Sequence, residues 1–210
     1  MDVLSEITAQ RIVPVVVADG ADEGLALADA LNAGGLPIAE ITLRMAGALD
    51  AIRAVATNKP EVLVGAGTVI NTVQVDEVVA AGAQFIVSPG TFEPVIARAN
   101  ELGVPIIPGV ASASDVMRAL DLGVQVVKLF PASVAGGPAA IKALAAPFPQ
   151  VRFMPTGGVN VNNLGEYLSI PAVIAVGGSW MVERSLVTSG NWDEITHRTA
   201  EAVALAASLK

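Results

Sequence analysis

The 210-residue chain contains no cysteine. Disulfides, iron–sulfur clusters and thiol nucleophiles are excluded, and a reducing compartment is compatible with the composition. Histidine occurs once, at His197, in the polar stretch NWDEITHRTAEAV. One imidazole cannot build a His-based zinc site, and its context reads as a surface position on the last helix. An all-carboxylate Mg²⁺ site is not excluded by count alone. Basic residues are scarce too: 12 Lys and Arg stand against 20 Asp and Glu, a formal net charge of −8. Without a basic stripe, nucleic acid is not an expected partner; the surplus acid reads as a solvated surface that aids solubility. No run reaches membrane-spanning length, and the opening MDVLSEITAQ has no basic flank of a signal peptide. The expectation is a cytoplasmic protein with no membrane partner.

What is abundant is apolar sequence. The chain is 53% hydrophobic and 15% charged, with 20 glycines and 13 prolines spread along its length. That composition suits a packed globular protein with many short connections, expected as one domain over 1–210. Eight apolar, β-branched runs recur: RIVPVVV (11–17), PIAEITL (37–43), EVLVGAG (61–67), QFIVSP (84–89), VPIIPG (104–109), VQVVKLF (124–130), VRFMPT (151–156) and AVIAVG (172–177). Helical patterns fill the gaps. ADEGLALADALNAGG is typical, with acids early, apolar residues at helical spacing and glycine at the end. The runs hardly alternate, as expected of strands covered on both faces. Eight such units predict an α/β fold, a single-domain (β/α)₈ TIM barrel preceded by a short N-terminal helix. An open doubly wound sheet is the alternative, although no G-x-G-x-x-G follows the first run.

On a barrel the C-terminal ends of the strands carry the chemistry. Two charges stand out inside the runs, Glu40 in PIAEITLR and Lys128 in VVKLFP. A period of two would put Glu40, Thr42 and Arg44 on one face if the strand extends that far. Two readings of the pair remain open. Glu40 and Lys128 can form a buried salt bridge. Alternatively, Lys128, kept poor in water, gives up its proton more readily and attacks a carbonyl as a neutral amine. The other three lysines, Lys59, Lys142 and Lys210, fall in helical or loop contexts.

Glycine pairs follow both of the last two runs, in PTGGV (155–159) and VGGSW (176–180). Loops at these places are the usual anion site of a barrel, where backbone N–H groups hold a phosphate; simple turn glycines are the plainer reading. Thr68 in GAGTV and Pro89 in SPG end the third and fourth runs at the same rim.

These segments together resemble the aldolase family that acts on 2-keto-3-deoxy-6-phosphogluconate and 4-hydroxy-2-oxoglutarate. GLPIAEITLR (35–44) is similar to the family's glutamate segment and GVQVVKLFPASVAG (123–136) to its Schiff-base segment, with GAGTV, SPG, PTGGV and GGSW in the family's order. The resemblance covers nearly the whole chain. It implies a class I aldolase on a (β/α)₈ barrel, usually a homotrimer, that needs no cofactor or metal. Its partners would be small molecules, pyruvate and a phosphorylated aldehyde. It further implies that Lys128 is the Schiff-base nucleophile and Glu40 the general acid–base. Arg44 and Thr68 would hold the pyruvate carboxylate. Gly157, Gly158, Gly178 and Ser179 would bind phosphate, and Thr156, Pro89 and Phe130 would line the pocket. A phosphosugar isomerase or epimerase, with Glu40 as base and Lys128 as an electrostatic group, is the second reading. A non-catalytic barrel used as a scaffold or assembly subunit is the third.

Overall fold

The computed structural model describes residues 2–209. They begin with the expected short helix, α1 (Val3–Gln10), whose first turn is capped by Asp2 accepting the Ser5 N–H at 3.0 Å. Nine strands follow among the described residues: β1 (Ile12–Val16), β2 (Ile38–Thr42), β3 (Leu63–Gly67), β4 (Phe85–Val87), β5 (Ile106–Ile107), β6 (Gly109–Val110), β7 (Val126–Leu129), β8 (Arg152–Phe153) and β9 (Val176–Gly178). Helices stand between them: α2 (Ala21–Ala33), α3 (Ala48–Asn58), α4 (Thr72–Ala80), α5 (Glu93–Glu101), α6 (Ala113–Asp121), α7 (Gly137–Ala145) and α8 (Leu164–Leu168), with α9 (Arg184–Thr188) and α10 (Trp192–Ser208) after the last strand.

The ladders are parallel. Six strands form a curled sheet in the order β5-β4-β3-β2-β1-β9, and β6-β7-β8 form a second sheet. Isolated parallel bridges join Phe153 to Val173 and Thr156 to Gly177. Every residue of β1, β2, β3 and β4 is buried, which is why these runs read as continuously apolar rather than alternating. Because the strands are parallel, their C-terminal ends gather on one rim.

Each observed strand is shorter than its apolar run. The run at 104–109 becomes two, because Pro108 has no N–H for the ladder and separates β5 from β6. The Pro108 carbonyl still accepts the Lys128 N–H at 2.8 Å, so the path toward β7 is kept. Of the run at 172–177, only the end is strand, and β9 extends one residue beyond it.

The glycine punctuation between helices and strands has one local cause. After α2, α4, α5 and α6, the N–H three residues past the helix end bonds back over the turn: Leu36 to Leu31, Ala83 to Val78, Val104 to Ala99 and Val124 to Ala119, at 2.9–3.0 Å. This closure requires a left-handed residue in between. Gly35, Gly82, Gly103 and Gly123 supply it, at φ +69° to +98°. The same turn, repeated four times, starts the next strand. Among the described residues, no helix is long and apolar enough to cross a membrane.

Candidate active site

Glu40 lies at the middle of β2, with Val15 opposite on one side and Gly65 on the other. Lys128 lies on β7 opposite Gly109. The two strands belong to different sheets, yet Lys128 Nζ comes within 3.3 Å of Glu40 Oε1. Their side chains are 7% and 1% exposed. Lys128 Nζ also stands 5.0 Å from the centroid of the Phe130 ring, within cation–π range. Glu40 Oε2 is buried and has no hydrogen-bond partner among the described residues. A carboxylate oxygen left unpaired in the interior is costly, so this atom is a candidate for handling a substrate proton.

Two glycines make room for the pair. A Cβ on Gly67 would stand 2.3 Å from Glu40 Oε1, so a side chain at 67 and this carboxylate position are incompatible. A Cβ on Gly109 would lie 2.1 Å from the Pro89 carbonyl, so Gly109 lets the turn after β4 close over the strand beside Lys128. Motif reading accounted for GAGTV as a whole and gave Gly67 no part of its own. Only the distance to Glu40 reveals the role.

A cavity of about 400 Å³ lies close by, although neither Lys128 nor Glu40 is part of its lining. Its lining includes Arg44, Phe130, Thr156, Gly157, Gly158, Gly178 and Ser179, so seven of the expected site residues meet in one space. The cavity borders the buried pair through Phe130, which carries Lys128 Nζ over its ring, and Val15, which stands opposite Glu40. Gly157 and Gly158 take φ +96° and +81°, backbone that a side chain would strain. The N–H groups of Gly157, Gly158 and Ser179 have no protein acceptor among the described residues. A Cβ on Gly177 would meet Thr156 Oγ1 at 2.2 Å, so the bridged pair at 156 and 177 is closely packed.

Three expected residues stand differently. Arg44 does not continue the strand: β2 ends at Thr42, and the Arg44 N–H turns back to the Thr42 carbonyl at 2.7 Å. Arg44 therefore reaches the cavity from a loop, and its exposed side chain is not part of a strand face. Thr42, from the same proposed face, is fully buried and donates to the Val16 carbonyl at 2.8 Å. Pro89 lines a neighbouring cleft of about 210 Å³ with Val69 and Phe92, not the main cavity. Thr68 lines neither, but it holds φ +61°. A β-branched residue in the left-handed region costs on the order of 1–3 kcal/mol, and such strain collects at functional sites.

The cavity wall also contains Val17, Glu183 and Arg184, which no sequence motif had singled out. His197 is an exposed residue on α10, 3.3 Å from Glu201 one turn on, far from this chemistry in character. Among the described residues, no three His, Cys, Asp or Glu side chains are grouped so as to hold a metal.

Comparison with known proteins gives close relatives over nearly the whole chain. The KHG/KDPG aldolase of Escherichia coli (strain K12) is 45% identical over 199 residues, 95% of this chain and 93% of that protein. A crystal structure of KDPG aldolase from Legionella pneumophila, with pyruvate captured at low pH as a covalent carbinolamine intermediate, superimposes with a TM-score of 0.91. It is 42% identical, covering 94% of this chain and 96% of the other. The 2-keto-3-deoxy-6-phosphogluconate aldolase of Zymomonas mobilis ZM4, solved with 3-phosphoglycerate, gives a TM-score of 0.89 at 40% identity, covering 96% and 94%. The family model described as KDPG and KHG aldolase matches residues 3–198. With that match along nearly its whole length, and relatives above 40% identity, the chain belongs to the KDPG and KHG aldolase family.

Proposed function

We propose that the protein is a class I aldolase that reversibly cleaves 2-keto-3-deoxy-6-phosphogluconate to pyruvate and glyceraldehyde 3-phosphate. Turnover of 4-hydroxy-2-oxoglutarate belongs to the same proposal. The observation that carries it is Lys128 Nζ, buried, 3.3 Å from a carboxylate with one unpaired oxygen, and set against Phe130 of the cavity wall.

The steps follow from the residues. Lys128 must first lose a proton to become a nucleophile, and Glu40 Oε1 is the acceptor within reach. The free amine adds to the substrate's C2 ketone and gives a carbinolamine; loss of water leaves a protonated imine. A base takes the proton of the C4 hydroxyl, the C3–C4 bond breaks, and its electron pair moves to the iminium nitrogen. The aldehyde leaves, and an enamine of pyruvate remains on Lys128. Protonation at C3 and addition of water then release pyruvate and restore the amine. The iminium is the electron sink, so the scheme calls for no metal or other cofactor. Glu40 takes and returns protons in it, with Oε2 as the free oxygen.

Arg44 suits the pyruvate carboxylate, because its planar fork can bind two oxygens at once. Within the cavity Thr156 adds a hydroxyl and Phe130 an apolar wall; Thr68 and Pro89, outside its lining, would act from the ends of β3 and β4. Gly157, Gly158, Gly178 and Ser179 receive the phosphate; the support is their place in one cavity and the N–H groups of Gly157, Gly158 and Ser179 without protein acceptors. The ligand of the Zymomonas enzyme, 3-phosphoglycerate, has the same phosphate-plus-three-carbon frame.

We further take residues 1–210 as one domain in which the two sheets close into a (β/α)₈ barrel with β5 and β6 as one interrupted strand. Support for closure is the Pro108 carbonyl bonded to β7, and the bridges Phe153–Val173 and Thr156–Gly177 between the β8 and β9 segments. A homotrimer in the cytoplasm completes the proposal, and the family resemblance is its support.

Pyruvate plus borohydride should add a stable mass at Lys128, found by peptide mass spectrometry. An isomerase or epimerase using Lys128 only for its charge would leave nothing to trap. A scaffold would show no pyruvate release in a coupled cleavage assay.

A further inference from the structure

The cavity holds two guanidinium groups, and the reaction above uses only one. Arg44 answers the carboxylate of pyruvate. Arg184, at the start of α9, lines the same space as Gly157, Gly158, Gly178 and Ser179. Its position is built rather than incidental. One Nη1 proton goes to the Val17 carbonyl at 3.0 Å, and Glu23 accepts from both Nη1 and Nη2. Glu23 is itself fixed, since it accepts the Asp19 N–H at 2.8 Å. The hydrogen bond from Arg184 holds the Glu23 carboxyl below the usual carboxylate range. Asp19 in turn accepts the Gly47 N–H at 2.8 Å, so the holder of Arg184 is tied to the loop that carries Arg44.

A guanidinium has five N–H donors. Three of those of Arg184 are accounted for, which leaves two without a protein acceptor among the described residues. Glu23 offsets part of the Arg184 charge in their ion pair, but that pair engages neither of the two remaining donors. Glu23 is not in the lining, and Glu183, which is, reaches Arg198 at 3.2 Å. The cavity thus holds, beside its glycine loops, a second guanidinium with two N–H donors to spare, a set suited to a phosphate oxyanion.

We propose that Arg184, held by Glu23 and the Val17 carbonyl, is a specificity-determining residue that selects the phosphate monoester end of the aldehyde half over an uncharged aldehyde. This rests on the aldolase reading above. Arg184 binds the phosphate alongside the backbone N–H groups, and Glu23 is a positioning residue that sets the plane of the fork.

The test compares condensation of pyruvate with glyceraldehyde 3-phosphate and with glyceraldehyde, on wild type, Arg184→Met, Arg184→Lys and Glu23→Gln. The preference for the phosphorylated aldehyde, as a ratio of kcat/KM values, should fall about tenfold or more in Arg184→Met, in line with the loss of one charge-assisted contact. The fall should appear in KM more than in kcat. Arg184→Lys should restore part of it. Glu23→Gln should lower it less, because the guanidinium keeps its charge and loses its holder. Inhibition by inorganic phosphate should weaken in the same order. If both aldehydes lose equally, or if Arg184→Met keeps the wild-type ratio, Arg184 does not select phosphate and the proposal is overturned; Glu23→Gln and Arg184→Lys report the same ratio should Arg184→Met fold poorly. A wild-type protein inactive on both aldehydes, with no borohydride adduct, would sink the aldolase reading itself.

Discussion

The floor of the site and its rim are built by opposite means. On the floor, Glu40 and Lys128 are strand residues with almost no exposure, brought together from two sheets. Their surroundings are apolar ladders and a space that exists because residue 67 has no side chain. At the rim, the cavity is lined by loop backbone at positive φ and by one guanidinium from a loop and one from a helix start, and the phosphate end is proposed among them. The floor must control where one proton and one electron pair go, so it excludes water and fixes two side chains. The rim must hold a charge that arrives hydrated, so it offers several donors and stays open to solvent. Errors on the floor should therefore cost rate, while errors at the rim should cost affinity and selectivity.

The largest effect is expected at Lys128. Lys128→Ala removes the covalent route and should lower kcat by roughly 10⁴-fold or more, as removal of a nucleophile does elsewhere. A variant that still cleaves substrate near the wild-type rate would erase the distinction between floor and rim. Gly67→Ala is the subtler test of the floor. Its Cβ would need the place of Glu40 Oε1, so the carboxylate must move. We expect kcat to fall with KM nearly held, and stability to drop by about 1–3 kcal/mol from overpacking. A fall in KM selectivity instead would show that floor and rim are not separable there.

Smaller still is the acid-side stability supplied by Glu23. Its folded pKa is lowered, chiefly by the hydrogen bond from Arg184, from an ordinary value of 4.5. The stabilisation is therefore present above that ordinary value and is lost as pH falls through the lower folded value. Thermal melting should drop more steeply with pH below 4.5 for wild type than for Glu23→Gln, a difference read by calorimetry across the acid range. Equal slopes would mean that the rim clamp contributes nothing to the fold. The smallest effect is expected at His197, exposed and paired only with Glu201. His197→Ala should change stability by less than about 0.5 kcal/mol and leave cleavage rates unaltered.

Much of this was legible in the chain. The apolar runs located every strand, because a strand buried on both faces must be continuously apolar. The left-handed glycines marked where helices give way to strands, because no other residue takes that turn at low cost. Lys128 and Glu40 were visible as charges where charges are expensive, and the paired glycines as a rim. Strand length was not legible: Pro108 divides one run, and Arg44 leaves the face that simple alternation assigned to it. Pro89 proved to border a neighbouring cleft.

The sequence by itself determined the order of the elements, the family, and which buried charges are the candidates for nucleophile and carboxylate, since these depend on local pattern and on which residues are present. Only the tertiary structure decided that residues 88 positions apart stand 3.3 Å from each other, that Gly67 clears their space, and that Arg184 shares a cavity with loops it follows in the chain. Those facts depend on how parallel strands curl and on distances between segments remote in sequence, and no local pattern encodes a distance of that kind.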